Sequence, residues 1–268
     1  MIAPLLSVEK VEVVYHRSIT AVQGISLSVG AGQIIAILGT NGAGKSTTLR
    51  AISGFLGIDD ARVTEGAIIF KGERIENRPP NEVSRRGVVL VPEREKVFPN
   101  LTVAENLAAP FAPTLSKGER REREELVYLF FPRLANLRAR IGGLLSGGER
   151  QMLALGSALM CKPELLLVDE MSLGLAPVAV EDLMRRLVAI RRELAITIIM
   201  VEQSAAVALE IADYGYVLEN GRVVLDGDCE RLRTHGDIQE FYLGQSGGSE
   251  RRSYRTVKQY RRSRRWYG

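Results

Sequence analysis

The run Gly39-Thr40-Asn41-Gly42-Ala43-Gly44-Lys45-Ser46-Thr47 has residue types and spacing that suit a phosphate chain. It fits the pattern G-x-x-x-x-G-K-[ST] without a mismatch. Backbone N–H groups approach a phosphate closely only where few Cβ atoms intervene, and Gly39, Gly42 and Gly44 remove three of them. Lys45 has the charge and reach for the β and γ phosphates of ATP or GTP, and the Ser46 hydroxyl is an oxygen of the kind that ligates Mg2+. A second group is Leu165-Leu166-Leu167-Val168-Asp169-Glu170, an apolar run ending in two carboxylates. Asp169 suits Mg2+, directly or through a water, and Glu170 suits a role in orienting or deprotonating an attacking water. Alone, such a run is common; beside a P-loop it completes a site for nucleotide hydrolysis. The third group, Leu145-Ser146-Gly147-Gly148-Glu149, precedes a helical pattern of Met152, Leu153, Leu155 and Leu159. By itself it reads as a helix cap whose hydroxyl and bare N–H groups also favour phosphate.

These residues need elements to hold them. The apolar Ile34 to Leu38 before the glycine-rich run and Thr48 to Ile52 after it predict strand, turn and helix. That helix, beginning at Gly44 or Lys45, aims its unpaired N–H groups and positive dipole end at the same anion, and Gly54 suits its C-cap. Leu5 to Tyr15, Gly24 to Val29, Gly66 to Phe70 and Gly87 to Val91 read as strands. Tyr15 is either a core tyrosine or an aromatic that stacks on a nucleotide base. From about Glu93 to Cys161 the pattern turns helical, with capping boxes at Thr102/Glu105 and Ser116/Glu119, which predicts a helical insertion. Leu165 to Val168 is a strand buried on both faces, and Pro177 opens a helix carrying Leu183, Leu187, Ile190 and Leu194. Ile196 to Val201 is a further strand, Ala205 to Ala212 a helix, and Tyr216 to Leu225 a hairpin turning on Asn220-Gly221. The alternation predicts an α/β fold, a mostly parallel sheet with helices on both faces.

The chain's 268 residues are enough for one large α/β domain. No apolar run approaches the roughly 18 to 20 residues that span a bilayer, and Met1 to Lys10 lacks the pattern of a signal peptide, so a cytoplasmic protein is expected. Cys161 and Cys229 stand apart, which argues against a zinc or redox motif and for buried thiols. Charge is concentrated at the end: from Ser249 to Gly268 eight basic residues face Glu250 alone, a net +7 in a chain of +4, so the rest carries −3. Tyr254, Tyr260, Trp266 and Tyr267 are interleaved with those arginines; a solvated tail is the default for such a run, and of the functional readings an anionic membrane surface is preferred to nucleic acid.

Taken in order, Gly39 to Thr47, Leu145 to Gln151 and Leu166 to Glu170 resemble the ATP-binding cassette (ABC) family, with 101 residues from Lys45 to Ser146 and 23 from Ser146 to Asp169. The resemblance covers about Leu5 to Gly244. It implies a P-loop NTPase fold of ABC type, with a mostly parallel sheet, an antiparallel β-subdomain and a helical subdomain inserted at about 93–161, followed by a basic tail at 245–268. It implies ATP and Mg2+ as ligands and two cassettes packed head to tail, so that Ser146, Gly147, Gly148 and Glu149 of one close over the nucleotide on the P-loop of the other. By position Tyr15 matches the adenine-stacking aromatic, and Glu93 matches a loop residue that couples the γ-phosphate and Mg2+ to the membrane domain, where glutamine is usual. Gln203 stands where a switch histidine is usual, and Met171 where proline commonly follows Asp-Glu. Glutamine donates a hydrogen bond but carries no proton charge.

Further stretches, among them Val91-Pro92-Glu93, Ser172-Leu173-Gly174-Leu175-Ala176-Pro177 and Val201-Glu202-Gln203, resemble the ATP-binding subunits of branched-chain amino-acid importers. That implies two permease subunits, a second related ATP-binding subunit, a periplasmic solute-binding protein acting indirectly, and a place on the cytoplasmic face of the inner membrane. No nucleic-acid partner is expected. Two other readings stand beside it: a soluble ABC ATPase acting on ribosomes or nucleic acid, and an ATP-gated subunit with weak hydrolysis, suggested by Glu93 and Gln203.

Overall fold

The computed structural model describes residues 3–94, 96–110 and 116–234; the basic tail read from the sequence lies outside the described residues. Among the described residues ten strands are β1 Leu6–Tyr15, β2 Ile19–Val29, β3 Ile34–Gly39, β4 Ala61–Phe70, β5 Glu73–Arg74, β6 Val88–Val91, β7 Leu165–Asp169, β8 Thr197–Glu202, β9 Tyr214–Glu219 and β10 Arg222–Asp228. The α-helices are α1 Lys45–Ser53, α2 Pro80–Arg85, α3 Val103–Ala108, α4 Lys117–Phe130, α5 Pro132–Ala135, α6 Gly147–Met160, α7 Pro177–Leu194, α8 Ala205–Ile211 and α9 Cys229–Thr234.

Six strands form one sheet in the order β10-β9-β3-β8-β7-β6, parallel except for the edge strand β10. Every residue of β3, β7 and β8 is buried, which is why these strands read as unbroken apolar runs rather than alternating ones. Successive side chains serve opposite faces. Ile34, Ala36 and Leu38 pack with α6, α7 and α8, while Ile35 and Ile37 pack with α1 and the second sheet. That second sheet, β2-β1-β4-β5, is antiparallel. Helices thus lie on both faces of the parallel sheet as expected, α6, α7 and α8 on one and α1 on the other, where the antiparallel sheet joins it.

Two strand boundaries differ from expectation. Gly24 and Gly66 do not start strands; both lie inside longer ones, at irregularities in the pairing with β1. The Cβ of any other residue at 66 would stand 2.3 Å from Glu9 O, so glycine here marks a bulge where two backbones meet.

Helices α3 to α6 pack through Leu107, Val127, Phe131, Leu134 and Leu153, all buried. Each such side chain contributes about 1.5–3 kcal/mol by leaving water. Buried Asn106 fixes the loop before α3. Its Oδ1 accepts from Phe98 N (2.7 Å), and its Nδ2 donates to Phe98 O (3.0 Å), Leu101 O (3.1 Å) and Thr102 O (2.9 Å).

Because β3, β6, β7 and β8 are parallel, their C-terminal ends share one edge. The glycine-rich run leaves β3 there, Glu93 follows β6, Asp169 ends β7 and Gln203 follows β8. The sheet thus gathers at one edge groups that are up to 164 residues apart in sequence.

Candidate active site

Glycine is needed in the turn after β3 for two different reasons. At Gly39 an added Cβ would lie 2.4 Å from Leu218 O, so only a bare backbone passes this strand. Gly44 caps α1 at φ 97, a left-handed conformation other residues rarely adopt. Beyond it the first turn of α1 presents the cleft with backbone N–H groups at a positive dipole end.

Lys45 is 4% exposed, and its Nζ lies inside the turn, donating to Gly39 O (2.9 Å) and Thr40 O (3.3 Å) and standing 3.2 Å from Glu170 Oε1. Ser46 Oγ donates to Asp169 Oδ1 at 3.0 Å. The Asp169 carboxyl is pushed up to about 6, chiefly by burial, against the Ser46 hydrogen bond and with the Glu170 and Glu93 carboxylates adding to the rise. A carboxylate held above its ordinary range among other acids is one that a cation would discharge.

That observation tests the fit of Mg2+. A hydroxyl and a carboxylate oxygen converge, both hard donors, and among the described residues no cluster of three or more His, Cys, Asp or Glu could hold a metal by itself. Mg2+ commonly uses one or two protein oxygens, the remainder coming from phosphate and water, so the donor set fits.

Asn41 to Thr47 line a cleft of about 460 Å3, joined by Glu93, Glu170 and Gln203. Tyr15 sits beside it: its hydroxyl shares a 3.3 Å hydrogen bond with Thr47 Oγ1. Glu93 Oε1 lies 3.2 Å from Arg94 Nε. A larger cavity, of about 590 Å3, opens at the other edge of the sheet around Arg85, Gly87 and Lys162 and contains none of the residues singled out for chemistry.

Glu170 has φ 43, a left-handed conformation for a residue with a full side chain, and this costs about 1–3 kcal/mol. The strain persists because the surrounding chain holds it. Glu170 N donates to Val201 O at 2.9 Å, and Ser172 donates its N–H (3.1 Å) and its hydroxyl to Glu202. Burial raises the Glu202 carboxyl above its ordinary range, partly offset by those Ser172 donors.

Ser146, Gly147, Gly148 and Glu149 are not among the residues that line the cleft. They open α6 in a capping box: Glu149 N donates to Ser146 Oγ (3.3 Å) and Ser146 N donates to Glu149 Oε2 (2.8 Å). The other Glu149 oxygen accepts from Arg133 Nε at 2.7 Å. The Ser146 N–H, helped by Arg133, holds the Glu149 carboxyl below its ordinary range against a desolvation that would raise it. Both oxygens of Glu149 are thus engaged within the chain.

Four residues went unassigned from sequence: Lys96, Gln151, Ser172 and Glu202. Gln151, Ser172 and Glu202 stood inside quoted motifs, and burial of Gln151 and Glu202 would have been the signal. Lys96 offered none.

Residues 22–172 match the protein-family model described as ABC transporter. The chain is 40% identical over 240 residues, 90% of its length and 100% of the relative's, to the high-affinity branched-chain amino acid transport ATP-binding protein BraG of Pseudomonas aeruginosa. It is 37% identical to the probable branched-chain amino acid transport ATP-binding protein LivF of Archaeoglobus fulgidus, over 82% of this chain and 91% of that one. Among solved structures, the ADP conformation of MJ1267, an ATP-binding cassette of an ABC transporter, superposes with a TM-score of 0.78 at 28% identity, covering 91% of this chain and 100% of that one.

Proposed function

This chain belongs to the ABC transporter family, as an ATP-hydrolysing cassette, and on that premise we propose that it drives import of branched-chain amino acids or a related small solute. The carrying observation is the convergence of Lys45, Ser46 and Glu170 in one cleft, with Lys45 Nζ 3.2 Å from Glu170, and Asp169 held to Ser46 at 3.0 Å. The names of its relatives in Pseudomonas aeruginosa and Archaeoglobus fulgidus support the solute class and favour transport over work on ribosomes or nucleic acid.

In this reading Gly39, Thr40, Asn41, Gly42, Ala43, Gly44 and Thr47 cradle the phosphates with backbone N–H groups, and Lys45 exchanges its present carbonyl partners for phosphate oxygens. Tyr15 stacks on the base. Ser46 and Asp169 hold Mg2+, with Glu93 beside them; bound with ATP, the ion supplies positive charge to the phosphate oxygens. Glu170 takes a proton from the attacking water, and Gln203 donates a hydrogen bond to the γ-phosphate. Ser146, Gly147 and Gly148 close on the nucleotide of a second cassette packed head to tail, and Glu149 shapes that motif.

Cassettes of this family work as dimers with transmembrane partners. We assign to this chain a second, related cassette, two permease subunits and, indirectly, a periplasmic solute-binding protein. The exposed Phe98, Ile141 and Leu144 (58%, 37% and 65%) support permease docking. They share one surface, since Gly142 N donates to Leu101 O and Gly143 N to Pro99 O. Among the described residues no helix is long and apolar enough to cross a membrane, so attachment to the cytoplasmic face of the inner membrane falls to these partners. The division into a cassette at 1–244, with a helical subdomain at about 93–161, and a basic tail at 245–268 completes the proposal.

Glu170→Gln tests it. Phosphate release should fall about 10²–10⁴-fold while nucleotide stays bound; unchanged turnover would overturn the assignment. A subunit gated by ATP with weak hydrolysis is the second reading, favoured by Glu93 and Gln203 in the cleft. Slow phosphate release by the complete transporter, unimproved by Gln203→His, would establish it.

A further inference from the structure

The segment Glu170-Met171-Ser172 is tied from three directions. Two ties come from the neighbouring strand β8, through Val201 O and the Glu202 carboxylate. The third has a different origin: Met171 O accepts from Gln151 Nε2 at 3.0 Å, and Gln151 is on α6, one turn beyond the Ser146 cap. Gln151 is 5% exposed. Its amide oxygen accepts from Lys96 Nζ at 2.7 Å. Lysine only donates, so this contact fixes which end of the amide faces Met171. Lys96 itself comes from the loop that carries Glu93 and Phe98, and Asn106 pins that loop.

Three parts of the molecule therefore meet at one buried amide: the loop after β6, the helix that begins with Ser146, and the turn bearing Glu170. We propose that Gln151, oriented by Lys96, is a positioning residue for Glu170, so that displacement of α6 changes the aim of this chain's own general base. The consequence for a dimer rests on the head-to-tail reading above: closure of the Ser146 motif over one nucleotide then bears on hydrolysis of the other. Rate is sensitive to such aim, since a misplacement of about 1 Å costs on the order of 100-fold.

Steady-state phosphate release by the full chain, assembled with its partner subunits, tests this. Gln151→Met keeps the volume and loses both contacts, and turnover should fall about 10- to 100-fold with KM for ATP within about twofold, because the P-loop is untouched. Gln151→Glu keeps an acceptor for Lys96 but has no N–H for Met171 O, so it should fall as far. Lys96→Met should fall less, and Lys96→Arg should restore most of the loss. Turnover of Gln151→Met within twofold of the unmodified chain overturns the proposal, as does a loss in which KM rises in step with falling thermal stability. Should Gln151→Met fail to fold, the Lys96 pair decides: equal turnover of Lys96→Met and the unmodified chain overturns it. Glu170→Gln run alongside separates the two readings. If it hydrolyses like the unmodified chain, the proposed function fails; if it is inactive and Gln151→Met is not, this inference alone fails.

Discussion

Helices α4 and α6 begin in the same way and serve different ends. Each opens with a serine capping box, with nearly identical bonds: Glu119 N to Ser116 Oγ at 3.2 Å and Ser116 N to Glu119 Oε2 at 2.8 Å, against 3.3 and 2.8 Å at α6. Each has glycine as its second helical residue, Gly118 in one and Gly148 in the other. The differences lie around the cap. Glu119 is exposed and Glu149 is 7% exposed with Arg133 on its second oxygen. Lys117 opens α4, whereas Gly147 opens α6 with Leu175 3.1 Å from where its Cβ would stand. A cap stabilises a helix by local bonds alone. What the same turn does beyond that is decided by its neighbours.

Alanine at these two second-position glycines is the strongest test of this contrast. An added Cβ at 148 would lie 3.7 Å from Ala179 Cβ, and one at 118 would lie 3.9 Å from Ser116 Oγ, so the fold accepts both. Gly148→Ala should lower ATP turnover about tenfold or more, the equivalent of about 1.4 kcal/mol in the barrier, and Gly118→Ala should leave it within twofold. Equal effects would break the distinction.

Acidification sharpens it differently, because the caps and the cleft titrate with opposite sign. Glu119 and Glu149 are held below their ordinary range, so the stability they contribute is present above that range and lost only as pH falls through their lowered values. Asp169 is raised to about 6, so below that pH it holds a proton in the absence of a cation. Binding of Mg2+ with nucleotide must displace that proton, and affinity should fall about tenfold per unit below about 6. Titration calorimetry on the unmodified chain and on Asp169→Asn, which should show a flatter profile, checks the assignment. In the absence of ligand Asp169 makes stability decline from about pH 4 to about 6, since the folded form binds more protons there.

The smallest effect concerns the caps themselves. Ser116→Ala and Ser146→Ala should each cost about 1 kcal/mol, or roughly 2–4 °C in melting temperature. Only the second should also reduce turnover.

Local chemistry was legible in the sequence. The glycine-rich turn, the caps at Ser116 and Ser146 and the Asn220-Gly221 hairpin depend on residues within a few positions of one another, and each formed as read. Gly24 and Gly66 misled because a glycine that ends a strand and one that lets a strand bulge look alike until the partner strand is known. The antiparallel subdomain was implied by the family resemblance, but its strand partners were not readable from the residues, since pairing of β1 with β4 joins positions more than 45 apart. At the site, the pairing of Ser46 with Asp169 could be anticipated because two recognisable motifs supplied the partners. The link from Lys96 through Gln151 to Met171 could not: it spans 55 and then 20 positions and ends on a main-chain carbonyl, which has no side-chain identity to read.

Asn106 has a mechanical consequence. By committing its amide oxygen and nitrogen to Phe98, Leu101 and Thr102, it makes the loop and the start of α3 a single stiff lever. Bending there would first have to break four hydrogen bonds made by one side chain, so Phe98 and the start of α3 hold their separation.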